Sequence, residues 1–127
     1  FCVLNINCRS ILNKTEELEG LLLAYEPDVA VLTETWLHDN IPDKDMIPQS
    51  HEIIRQDRSS RGGGVAIVIK KGTDYTLVPH HTSTEMVWIR LHTCKHSIFM
   101  GAVCRSPYSD LGTLETLYDF LNEHKKR

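Results

Sequence analysis

No apolar stretch in the sequence reaches the roughly 18 to 20 residues that a membrane-spanning helix needs. Nor does the chain carry the charged, apolar and small-residue succession of a signal peptide. No membrane partner is therefore expected. Cysteine is sparse: Cys2, Cys8, Cys94 and Cys104 form no C-x-x-C motif. In a chain larger than the usual disulfide-stapled module they read as reduced thiols, which points to an intracellular protein. Neither sign of charge dominates, with 14 Lys and Arg against 17 Asp and Glu and a net charge of -3. That balance gives no overall electrostatic case for nucleic acid and leaves only a local basic surface as a route to it. Also missing are G-x-S-x-G, the commonest local sign of an α/β hydrolase, and the phosphate loop G-x-x-x-x-G-K-[ST]. There is no internal repeat, low-complexity tract or linker.

What is present, 127 residues at 41% hydrophobic and 24% charged, suits one soluble domain. The chain opens inside a strand-like segment, "FCVLNIN", and closes inside a helical pattern, "LYDFLNEHKKR". A piece of something longer is expected. Within "FCVLNIN" the end alternates polar, apolar, polar, so Asn5 and Asn7 share one face. From Asn13 the pattern becomes helical: Asn13 with Glu16 fits a capping box, and Leu18, Leu21, Leu22 and Tyr25 form one stripe before Pro27. "DVAVLTE" then runs apolar without alternation, as in a central strand covered on both faces. Strand, helix, strand predicts a right-handed crossover with the two strands parallel. Its consequence is that Asn5, Asn7 and Glu34 open onto the same carboxyl edge, where open α/β sheets bind ligands.

Residues 35 to 50 read as an irregular surface loop. "HEIIRQD" and "GGGVAIVIKKG" predict a hairpin across "RSSR", and "YTLVP", "EMVWIRLHT" and "HSIFMGAVC" predict three more strands at hairpin spacing. A second helical stripe, Leu114, Leu117, Tyr118 and Leu121, follows, capped at Asp110 or Thr113.

Glu34 is the strongest candidate for chemistry. A carboxylate at the exposed end of a buried strand is a hard oxygen ligand, and magnesium often takes only one or two of these. The plainer alternative is that it caps the next loop or pairs with a surface lysine. Asn5 and Asn7 can orient a carboxylate or phosphate oxygen through their amides, or simply turn the chain. Gly62, Gly63 and Gly64 precede a strand, so they predict a tight turn with positive φ and close packing. His92, Cys94 and His96 alternate in a hairpin bend, a weak zinc pattern. Trp36 and Trp88 read as core or rim residues. Arg105 has the planar fork that suits phosphate, or a salt bridge.

The succession "LNINCRSILNK", "EPDVAVLTETWL", "RGGGVAIVIKKG", "MVWIRL" and "VCRSPYSD" resembles the endonuclease domain of non-LTR, LINE-type retrotransposons. Those domains belong to the endonuclease/exonuclease/phosphatase superfamily, together with apurinic endonucleases and DNase I. The resemblance runs from the first residue to about Asp110. It implies a DNase I-like four-layer α/β/β/α sandwich with a mixed sheet, of which residues 1–127 are the N-terminal part. It implies a hydrolase that nicks DNA with Mg2+, or Mn2+, in a parent polyprotein carrying a reverse transcriptase domain and working in the nucleus. Asn5 then matches the active-site asparagine at the end of the first strand and Glu34 the metal-binding glutamate, while Asn7, also expected to be catalytic, takes a neighbouring place that some relatives fill with aspartate; Arg105 is expected to steer the nucleic-acid backbone.

Two features depart from that family. Cys104 stands where its members carry a tyrosine, and a thiol is expected neither to reach nor to donate as that phenol does. The "GDFN"-like and "SDH"-like segments that supply the water-activating carboxylate and histidine are absent from residues 1–127, so this piece is expected to be inactive alone. Other readings keep the fold but act on a phosphoinositide or another small phosphodiester, or make the chain a non-catalytic relic or binding module. The strands amount to roughly one sheet, so an uncovered, apolar inner face and self-association are expected.

Overall fold

The computed structural model describes residues 1–58, 62–79, 85–104 and 121. Strand β1 (Val3–Asn7) leads through helix α1 (Thr15–Tyr25) into strand β2 (Val29–Thr33), and β1 and β2 run parallel, as the crossover predicts. Leu18 and Leu22, one turn apart, are the residues that α1 buries. Glu16 and Glu17 in its first turn suit the helix dipole. It ends where Glu26 turns left-handed, with its N–H on the Leu22 carbonyl. The expected capping box does not form. The Lys14 N–H instead closes a turn onto the Ile11 carbonyl, which consumes Asn13 and puts Lys14 at the helix entrance without a side-chain cap. Tyr25, the end of the expected stripe, is exposed.

Strands β3 (His51–Gln56) and β4 (Val65–Lys70) form the expected hairpin, and β4 also pairs antiparallel with β2, giving a mixed sheet in the order β1-β2-β4-β3. The unbroken apolar run of β2 has a direct cause, because both its faces are covered. Ala30 and Leu32 pack with Leu18 and Leu22 of the helix, while Val29 and Val31 face the other way. Strand β4 divides in the same manner, with Ala66 and Val68 toward the helix and Val65, Ile67 and Ile69 away from it. The long loop after β2 is less superficial than expected. Leu37 and Met46 enter the helix-side core, and Arg55 pins the loop through the carbonyls of His38 and Ile41 and the carboxylate of Asp43.

Strands β5 (Tyr75–Val78), β6 (Met86–His92) and β7 (Ser97–Val103) build a separate antiparallel sheet in the order β5-β6-β7. The expectation of roughly one sheet is thereby corrected. The meander does not extend the first sheet but lies over it: Val87, Ile89, Leu91 and Ala102 pack against Val31, Ile67 and Ile69. Two inner faces cover each other, which removes the basis for self-association through a bare one. What stays open is β1. Its Leu4 and Ile6 pack toward the helix, so Val3, Asn5 and Asn7 point to the opposite, sheet-to-sheet side, where all three are exposed. Helix, first sheet and second sheet are three of the four expected layers. The predicted second helix lies outside the described residues except Leu121, which is helical and exposed. Among the described residues no helix is long and apolar enough to cross a membrane.

On the far side of the second sheet, Trp88 of β6 lies directly opposite Gly101 of β7, and a side chain at 101 would run into the indole ring. Gly101→Ala is expected to cost about 2 kcal/mol through this overpacking. A lower urea midpoint at an unchanged denaturant slope checks it, and an unmoved midpoint contradicts it.

Candidate active site

The parallel register sets the rim. Asn7 is opposite Thr33, Glu34 is the next residue on, and Asn5 is opposite Val31, about 7 Å further back along its strand. Pairing persists beyond the strands: the N–H groups of Cys8, Ser10 and Ile11 donate to the carbonyls of Thr33, Glu34 and Thr35. The two loops therefore leave the sheet together. Asn7 and Glu34 reach one edge, with Asn5 set behind them.

This edge is also where the backbone departs from its ordinary conformations. Arg9 (φ 47°), Ser10 (φ 81°), Glu34 (φ 54°) and Trp36 (φ 57°) are left-handed, and so are Gly62, Gly63 and Gly64 in the loop before β4. A non-glycine residue there costs roughly 1–2 kcal/mol. Such strain persists only where surrounding contacts enforce it, and it gathers at working sites.

The contacts around Glu34 are specific. Its Oε2 accepts the indole N–H of Trp36 at 3.0 Å, and its Oε1 accepts the Cys104 thiol at 3.3 Å. The Trp36 indole, with smaller help from the Cys104 thiol, the Gly63 N–H and the Arg58 charge, holds the carboxyl below its usual range against a burial effect that opposes it. The result is an oriented anion. Among the described residues no lysine takes part in these bonds, whereas the Gly63 N–H and the Trp36 indole both belong to loops.

The glycine triplet supplies part of the cradle. Trp36 and Thr35 donate their N–H groups to the carbonyls of Gly63 and Gly64 at 2.8 and 3.3 Å. A Cβ on Gly64 would sit 2.5 Å from Thr35 Oγ1, and one on Gly63 would strike the Arg58 guanidinium. The tight-turn reading of these glycines therefore holds, with φ of 85°, 65° and 91°.

The second sheet closes the site. Arg58 donates from Nε and Nη2 to the two oxygens of Glu85 at 2.9 and 2.8 Å. Glu85 Oε1 also accepts the Gly64 N–H at 2.9 Å, and the Glu85 carbonyl accepts the Cys104 N–H. Cys104, which stands where the family carries tyrosine, donates its thiol to Glu34. Burial, and then the Glu34 carboxylate, push its pKa up to about 11, so the donor proton stays in place.

Other sequence candidates fall elsewhere. Arg105 lies outside the described residues. His92 pairs with the Thr76 hydroxyl, and no group of three or more His, Cys, Asp or Glu able to hold a metal occurs among the described residues. Trp36, Arg58 and Glu85 were not foreseen as partners of the rim. Trp36 alone left a signal, two residues beyond Glu34. Arg58 and Glu85 are 27 residues apart and meet only once the two sheets stack.

Chemically the rim offers one hard-oxygen ligand, the ionised Glu34 carboxylate with fixed orientation, beside two amides on the adjacent strand. That donor set fits Mg2+, which retains most of its waters, and it does not fit zinc, which prefers three or four closely placed nitrogen and sulfur ligands.

Comparison with curated proteins finds no match. Among solved structures, the chain is similar to the endonuclease domain of TRAS1, a telomere-specific non-LTR retrotransposon, at a TM-score of 0.76 and 15% identity. An AP endonuclease from Archaeoglobus fulgidus follows at 0.70 and 18%, and a humanized D. rerio TDP2 carrying 14 mutations at 0.63 and 14%. The alignments cover 98%, 96% and 98% of this chain but only 55%, 51% and 59% of those structures, so the chain spans little more than half their length. At such identities the likeness establishes a shared DNase I-like α/β sandwich. A family model matches residues 2–121, which include both sheets and every group at the rim, and the chain thus belongs to the Endonuclease/Exonuclease/phosphatase family.

Proposed function

We propose that this chain forms the metal-holding half of an endonuclease that hydrolyses phosphodiester bonds in DNA, of the kind carried by non-LTR retrotransposons. The observation that carries the reading is Glu34: a strained, exposed-edge carboxylate kept ionised and aimed by donors from three separate segments. The likeness to the TRAS1 endonuclease domain supports DNA as the substrate.

Glu34 would hold Mg2+ or Mn2+. When bound, such a cation neutralises charge that develops on phosphoryl and leaving oxygens. Asn7 and Asn5, exposed on β1, would present amide N–H groups to a phosphate oxygen and hold the bond in line. Arg105 would take the DNA backbone. The groups that activate water belong to the remainder of the domain, so residues 1–127 alone do not cut. In the parent protein, a reverse transcriptase domain and a nuclear site of action go with this reading.

The test is plasmid nicking by the chain extended through the rest of its domain. Nicking is expected to require Mg2+ and to fall on the order of a hundredfold in Asn7→Ala and in Asn5→Ala. Chelator-resistant nicking, or unchanged rates in both variants, contradicts the assignment. Cleavage of a phosphoinositide in preference to DNA would move the substrate while leaving the site.

A further inference from the structure

We infer that Glu85 and Arg58 are positioning residues for Glu34: their ion pair clasps the glycine loop from the opposite sheet, and Glu85 keeps the Arg58 charge away from the Glu34 carboxylate. The inference rests on the reading of Glu34 as the group that holds the cation.

The contacts form a closed circuit. Glu85 touches Arg58, the Gly64 N–H and, through its carbonyl, the Cys104 N–H. Glu34 is held in turn by Trp36, Cys104 and Gly63, while Trp36 is itself tied by its N–H to the Gly63 carbonyl. Each group that fixes Glu34 is thus one bond from a group that Glu85 fixes. The ion pair is bidentate, and its side chains keep only 24% and 18% of their exposure, so its geometry is better defined than that of a surface pair.

Electrostatics gives Glu85 a second task. Arg58 is close enough to favour ionisation of Glu34. A guanidinium released from Glu85 has one nearby carboxylate left to join among those described around it, and that is Glu34. An Arg58–Glu34 pair would occupy the oxygens a divalent cation needs. Glu85→Gln isolates this effect, because its amide oxygen can still accept the Gly64 N–H while its charge is gone.

The experiment uses the 127-residue chain, with Mn2+ as probe and 1H–15N spectra as readout. In Glu85→Gln the Trp36 indole and Gly63 amide resonances are expected to shift without added metal. The Mn2+ concentration that broadens them should rise about 10- to 100-fold, the range for residues that orient a metal ligand. Removing the competing cation as well, in Glu85→Gln/Arg58→Gln, should recover most of that loss, which a merely structural pair would not do. Unmoved resonances together with an unchanged Mn2+ midpoint in Glu85→Gln overturn the inference. If the unaltered chain shows no Mn2+ broadening near Glu34, the metal reading fails by itself. The metal-free resonances then decide the clasp: a shift supports it and none refutes it. Should Glu85→Gln not fold, Arg58→Lys keeps the charge but loses the fork, and the same resonances apply.

Discussion

Glu34→Asn is expected to abolish metal-dependent cleavage by the extended domain, on the order of a thousandfold, while leaving the melting temperature of the 127-residue chain unchanged or higher. The two halves of this result have separate causes. An amide offers the cation a neutral oxygen in place of an anion, and its shorter side chain leaves the Trp36 and Cys104 donors unmet. Stability moves the other way because Glu34 sits at φ 54°, a conformation that asparagine tolerates far better than glutamate. Relief of roughly 1–2 kcal/mol of backbone strain then offsets the loss of two partly solvated hydrogen bonds worth about 1 kcal/mol each. Nicking rates and thermal melts of the same variant check both halves. A steep fall in melting temperature would make Glu34 a structural residue whose carboxylate serves the fold.

Gly64→Ala is expected to destabilise by about 3 kcal/mol and to disorganise the site with it. Gly64 has φ 91°, and its added Cβ would lie 2.5 Å from Oγ1 of Thr35. Thr35 has no room to yield, being fully buried, and its hydroxyl has no partner among the described residues. Gly72 is the internal control. It has nearly the same backbone angle, φ 89°, but open space where a Cβ would go. Gly72→Ala should therefore cost only the conformational part, about 1–2 kcal/mol, and the difference between the two variants measures the contact with Thr35. Pairing Gly64→Ala with Thr35→Ala should return much of that difference. Denaturant midpoints settle the comparison, and equal losses at the two glycines would show that the contact carries no cost.

The parts legible in the sequence were those set by periodicity and chain direction. The unbroken run of β2 announced a strand covered on both faces. A right-handed crossover then puts Asn5, Asn7 and Glu34 at one edge; the register adds that Asn5 is set about two residues behind. The glycine triplet announced positive φ because a strand, and no helix, follows it. What escaped was everything decided by one sheet meeting the other. Spacing alone does not distinguish three strands that extend a sheet from three that cover it, so the second sheet was missed. With it went the Arg58–Glu85 pair and the contact of Cys104, which follows β7, with Glu34. The Asn13 and Glu16 pattern failed for a local reason, since a competing turn from Ile11 to Lys14 used the residue first.

The cluster of left-handed residues at the rim has an evolutionary corollary. Arg9, Ser10, Glu34 and Trp36 each sit where glycine would rest more comfortably. If the proposed cutting were no longer selected, a lineage would gain robustness by drifting toward glycine or asparagine at these four places, so their retention in descendants would mark continued use.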